Sequence, residues 1–177
     1  MSNLALTNKD DYPDAAAKHL EDAGALIGAE RFDGAGYLVG YVIECSLRTV
    51  VMIGHLARLG RVRHDALAAE LDPSSPTLRR FKKVAAQEAR AAGRAHDLDE
   101  LADATTGYKD ELNAANAMYA PPIDKKKPLL GGTWTESIRY RAQGDVSKSD
   151  AETWLQEAEV VYQSTIGKMV RNGLIRK

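Results

Sequence analysis

The sequence predicts an all-α domain, an up-and-down helical bundle of four to five main helices with one insertion of short helices and loop. Three observations lead there. Apolar residues recur at three- and four-residue intervals over long segments. No run alternates apolar and polar residues for long enough to make a strand. Clusters of Pro, Gly and Ser fall where helices should stop. At 177 residues the chain suits one domain spanning residues 1–177. Folding at that size should bury about two-thirds of the unfolded surface.

The first helix is expected over residues 11–29. Pro13 suits a first helical turn, Asp11 and Asp14 suit the positive end of the helix dipole, and Ala16, Leu20, Ala23 and Ile27 form one stripe. A short turn at 31–33 then makes an antiparallel pair with a second helix, with Asp33 as the expected N-cap. That helix should reach about residue 59. Tyr37, Leu38, Tyr41, Val42, Leu47, Val51 and Leu56 are too many for one stripe, so it should be central and covered on several sides. Gly34, Gly36 and Gly40 each cost about 1 kcal/mol relative to alanine, which a close-packed neighbouring backbone would justify. Residues 58–94 differ in character, with nine basic and four acidic side chains, a net of +5 that leaves −6 for the rest of the chain. This basic insertion holds a Pro/Ser loop at 72–76 and a basic helix over 78–92. A helix opens at His96 and ends near Gly107, and a short one is expected from Lys109 to about Met118. A loop covers about 120–133, with Pro121, Pro122 and Pro128 around Lys125, Lys126 and Lys127. The last helix carries the stripe Trp154, Ala158, Val161, Thr165 and Met169. Ser149 with Glu152 reads as its capping box, and Gly173 as its stop.

Composition excludes several classes. The chain is 44% hydrophobic and 28% charged, with a net charge of −1, so no global field draws it to nucleic acid or membrane. One cysteine, Cys45, excludes an internal disulfide and a Cys-rich zinc site. Its chemistry should be that of a small buried hydrophobe. His19, His55, His64 and His96 form no i, i+4 pair, so neither a metal nor a cofactor is expected. The first eleven residues lack the apolar core of a signal peptide. The most apolar stretch carries Glu44 and Arg48, which argue against a membrane span. A cytoplasmic location is the resulting expectation.

Three pieces of the chain resemble the HEPN family of small helical domains. The first runs from Ala17-Lys18-His19-Leu20-Glu21-Asp22-Ala23, through the turn Arg31-Phe32-Asp33-Gly34-Ala35, to Glu44-Cys45-Ser46-Leu47-Arg48. It is similar to the first helical hairpin of that family. The second, His96-Asp97-Leu98-Asp99-Glu100-Leu101, is similar to its H-D-L-x-x-L element. The third is Arg139-Tyr140-Arg141 ahead of a long terminal helix. The resemblance implies a helical bundle, often a homodimer, associated with RNA or nucleotides or with a nucleotidyltransferase partner in toxin–antitoxin and defence systems. Nuclease members carry an Arg and a His with four to six residues between them, usually near the start of a late helix. Here no histidine follows Arg139 or Arg141, because His96 is the last in the chain.

The leading expectation is therefore a non-catalytic RNA- or nucleotide-associated interaction module. One alternative is a metal-independent ribonuclease using Arg90 and His96, in which the histidine is the base and the arginine binds phosphate. Those two residues stand about 240° apart on a continuous helix, so a break at Gly93 would be needed. Otherwise His96 caps or packs and Arg90 is solvated. A second alternative is a structural partner of a nucleotidyltransferase. Arg79, Arg80, Lys82 and Lys83 are the candidate nucleic-acid contacts, since phosphate binding asks only for several cations within reach of a backbone. The competing reading is a solvated helix face. Glu44 and Arg48, an i, i+4 pair in the favourable order, form either an intrahelical pair or, with Arg139, Tyr140 and Arg141, the polar floor of a cleft.

Overall fold

A computed structural model describes residues 1–6, 10–61, 67–92, 96–114, 117–118 and 129–176. Arg63, His64, Gly93, Arg94, and the Lys125 to Lys127 run with the rest of its loop up to 128, lie outside the described residues. The protein is an all-α bundle. Its helices are α1 (Tyr12–Gly28), α2 (Phe32–Gly60), α3 (Leu67–Glu70), α4 (Pro76–Ala91), α5 (Leu98–Thr106), α6 (Lys109–Leu112), α7 (Lys148–Tyr162) and α8 (Lys168–Arg171). A π-helical turn, Gln163–Gly167, joins α7 to α8. The helix expected to run to Met118 stops at Leu112. Beyond it, Asn113 and Ala114 pair antiparallel with Met118 and Ala117, a contact too short to make a sheet.

α2 is the axis of the molecule. Every residue from Val42 to Gly54 is buried, which a helix achieves only when neighbours cover its whole circumference. α1, α4, α5 and α7 are those neighbours. Ile43, Leu47, Met52, Ile53 and Leu56 are among its fully buried side chains, each worth roughly 1.5–3 kcal/mol of burial. By length and composition α2 could cross a membrane, yet 83% of its most apolar window is buried inside the protein.

The α2 glycines have a cause other than a neighbouring backbone. A Cβ on Gly40 would stand 1.7 Å from the Trp134 ring, and one on Gly36 3.1 Å from the Trp154 ring. Trp134 Nε1 also donates to the Gly36 carbonyl at 3.0 Å. The missing side chains are the sockets of two indoles.

Two expected caps are reassigned. Arg31, not Asp33, is the N-cap of α2, and it makes no side-chain cap bond. The Asp33 carboxylate instead accepts from the backbone N–H groups of Gly144 (2.7 Å) and Val146 (2.9 Å), pinning the entry to α7 against the start of α2. Those bonds hold its carboxyl below the ordinary value of 3.8. Ser147, not Ser149, caps α7: its Oγ accepts from Asp150 N–H and donates to Asp150 Oδ2. The chain already turns helical at Lys148, so Ser149 lies in the first turn.

The termini are clamped together. Asn3 Nδ2 donates to the carbonyls of Leu71 (2.6 Å) and Leu174 (3.1 Å), and Asn3 N–H donates to the Arg176 carbonyl (2.9 Å). Ser2 is held by the Asp11 carboxylate through both its N–H and its hydroxyl.

Two measurements test this packing. Gly40→Ala should lower the free energy of urea unfolding by about 1–3 kcal/mol, because the added methyl overpacks the Trp134 socket. Gly24→Ala, which meets nothing within 4 Å, should be stabilising by about 0.5–1 kcal/mol. The lowered Asp33 pKa adds stability above the unfolded-state value, and this is lost as pH falls through the lower folded-state value. Melting temperatures of wild type and Asp33→Asn should therefore converge only below about pH 3.8, with the variant less stable at neutral pH.

Candidate functional site

α2 carries a polar seam that runs from its half-buried first turns into its buried length. Tyr37, Tyr41, Glu44 and Arg48 fall at i, i+4, i+7 and i+11, so they share a face. The Arg48 guanidinium donates from Nε to Glu44 Oε1 at 2.8 Å and from NH1 to the Ala89 (2.5 Å) and Ala92 (3.2 Å) carbonyls at the end of α4. The second carboxylate oxygen of Glu44 accepts from His96 Nδ1 at 2.6 Å. His96 Nε2 in turn lies 2.9 Å from Glu136 Oε2. A chain of polar contacts thus runs from α4 through α2 to His96 and the 3₁₀ turn Glu136–Tyr140.

Tyr41 is the aromatic hub beside this chain. Its ring centre lies 5.0 Å from Tyr37, 5.8 Å from His96, 5.9 Å from Trp134 and 5.9 Å from His19. The Tyr37 hydroxyl donates to Tyr41 and accepts from Arg139 NH1 at 3.2 Å. Burial, with the Tyr37 hydroxyl adding to it, holds the Tyr41 phenol above its ordinary pKa. Cys45 is 8% exposed, and burial pushes its thiol up to about 12, so it is inert as a nucleophile.

Arg90 and His96 do not meet. α4 ends at Ala91, and His96 lies past it with a left-handed φ of 61°, one residue before the Asp97 cap of α5. Arg90 pairs with Asp10 of the segment ahead of α1. The arginine in the His96 cluster is Arg48, acting through Glu44. The residues expected to form one polar cleft also separate. Glu44 and Arg48 are buried in the seam. Arg139 and Arg141 line a second hollow of ≈ 500 Å³ with Tyr37 and Asp33, where Arg141 pairs with Asp145 at 2.9 Å. Tyr140 is 75% exposed, with the Arg139 guanidinium stacked on it.

The basic helix makes a groove. Arg79, Lys82, Lys83 and Arg90 line a hollow of ≈ 400 Å³ between α4 and the N-terminal segment, together with Ala5, Leu6, Ala86 and Gln87. The four cations fall within about a 100° arc of the helix and span about 16 Å along it. Arg80 points elsewhere, over the Phe81 ring. Lys82 Nζ donates to the Asn3 carbonyl at 3.0 Å, and burial holds its ammonium below the usual lysine pKa. Among the described residues, no acidic side chain pairs with Arg79 or Lys83. Spacings of four, three and four along 79, 83, 86 and 90 mark Arg90 as a groove residue. The N-terminal wall, the Asn3 contact and Glu136 have no comparable sequence signal.

Comparison with known proteins finds no matching family model, no matching curated relative and no matching solved structure.

The seam and an exposed pair should respond differently to mutation. Arg48→Met strands the buried Glu44 carboxylate and should cost about 3–5 kcal/mol of unfolding free energy. Arg141→Met, which breaks the exposed pair with Asp145 and a long hydrogen bond to Thr135 Oγ1, should cost about 1 kcal/mol or less. Chemical denaturation of both variants checks the contrast.

Proposed function

We propose that this chain is a HEPN-like, non-catalytic module that binds RNA or a nucleotide through the α4 groove, as a homodimer in the cytoplasm. The observation that carries the reading is the row of Arg79, Lys82, Lys83 and Arg90 along one groove of a chain whose net charge is −1. A nearly neutral protein gains no affinity for polyanions from its overall field, so any such affinity must be local. The groove supplies phosphate donors and no aromatic wall, which suits backbone contact in place of base stacking. A row about 16 Å long fits a succession of phosphates better than a single one.

The non-catalytic part of the reading is supported by the His96 geometry. Both ring nitrogens face carboxylates, Glu44 and Glu136, and Arg90 is engaged elsewhere. A general base needs a free nitrogen within reach of the proton that it removes.

Fluorescence anisotropy with a labelled single-stranded RNA tests the proposal. Affinity should fall with salt on a log–log slope of about −2 to −3, as three or four phosphate contacts require. The double substitution Arg79→Glu and Lys83→Glu should weaken binding at least about tenfold, and intact RNA should be recovered afterwards. Absence of salt-dependent binding would overturn the reading, and cleavage of the RNA would replace it with a nuclease.

A further inference from the structure

The groove is not vacant at its Arg90 end. The Arg90 guanidinium is paired with the Asp10 carboxylate, and the Tyr12 hydroxyl is also bonded to it. A carboxylate and a phosphate offer the guanidinium fork the same kind of acceptor. We propose that Asp10 is a built-in competitor for the groove: its carboxylate takes the position of one phosphate on Arg90, and a bound polyanion displaces it. This inference rests on the phosphate-binding reading of the α4 groove.

Three observations support it. The pair is exposed, with 45% of the Arg90 and 43% of the Asp10 side chain open to solvent. Pairs that open to water shift an equilibrium by about fivefold at most, so a phosphate exchanges with the carboxylate at small cost. Second, the pair is not needed to fasten α4. The end of that helix is already tied to α2 by Arg48 through the Ala89 and Ala92 carbonyls. Third, Asp10 is held beside the groove by backbone. The Leu6 N–H donates to the Asp10 carbonyl at 2.8 Å, and Asp11, the next residue, clamps Ser2. Leu6 is itself a groove wall, so that bond ties Asp10 to the wall.

The experiment titrates a labelled single-stranded RNA with wild type, Asp10→Asn and Glu21→Gln between about 50 and 200 mM salt. Glu21 is an exposed α1 carboxylate outside the groove lining, so its loss controls for net charge. Asp10→Asn should bind about two- to fivefold tighter, because no carboxylate has to leave Arg90 first. Glu21→Gln should stay near wild type. In an Arg90→Gln background, Asp10→Asn should gain nothing beyond the charge control. Equal behaviour of Asp10→Asn and Glu21→Gln, with wild type binding RNA, would overturn the competitor and leave the groove. Absence of binding by every variant would overturn both.

Discussion

A salt bridge in the middle of the most buried helix sets the terms for everything around it. Glu44 and Arg48 stand where α2 is covered on all sides, at 6% and 8% exposure. Charges so placed lose their hydration, and their mutual attraction repays that only when the remaining donors and acceptors are also satisfied. The surrounding structure supplies these. Ala89 and Ala92 end α4 with their carbonyls turned to Arg48. His96 adopts a left-handed backbone, uncommon for a residue with a side chain, and places Nδ1 on Glu44. Glu136 then meets the far side of the same ring. Three separate chain segments are positioned by one ion pair.

The α4 groove is a consequence of that positioning. Once Arg48 has fixed the end of α4, the face of the helix that carries Lys82, Lys83 and Ala86 borders the N-terminal segment. There Asn3 joins that segment to the end of α3 and to the C-terminus. The cations Arg79, Lys82, Lys83 and Arg90 are held on a rigid rod and walled by a clamped strand of chain. Preorganised cations of this kind pay less ordering entropy on binding than the same residues on a loop.

The bundle was legible because its helices announce themselves by period. The stripe Ala158, Val161, Thr165 and Met169 is buried as its spacing requires, and the turn between α1 and α2 falls at Arg31 where the apolar pattern breaks. The caps were legible only to within a few residues. Asp33 and Ser149 are good capping types at plausible positions, and nothing local says that the Asp33 carboxylate is needed 111 residues away at Gly144. The site was legible by halves. Glu44 with Arg48 is a local pattern and the structure forms that bond. The attachment of His96 to Glu44, across 52 residues, and of Arg90 to Asp10, across 80, depends on how helices pack, which period and composition do not encode. Arg90 and His96 are close in sequence and diverge in space because α4 ends between them.

The Glu44–Arg48 bridge is retained because each charge needs the other. A double-mutant cycle of Glu44→Leu and Arg48→Met, read by urea unfolding, tests it most directly. Strong coupling is expected: the double variant should recover at least about half of the stability lost by Arg48→Met alone, since an apolar pair leaves no stranded charge. Losses that simply add would contradict it, and would mean that the two side chains are buried for unrelated reasons.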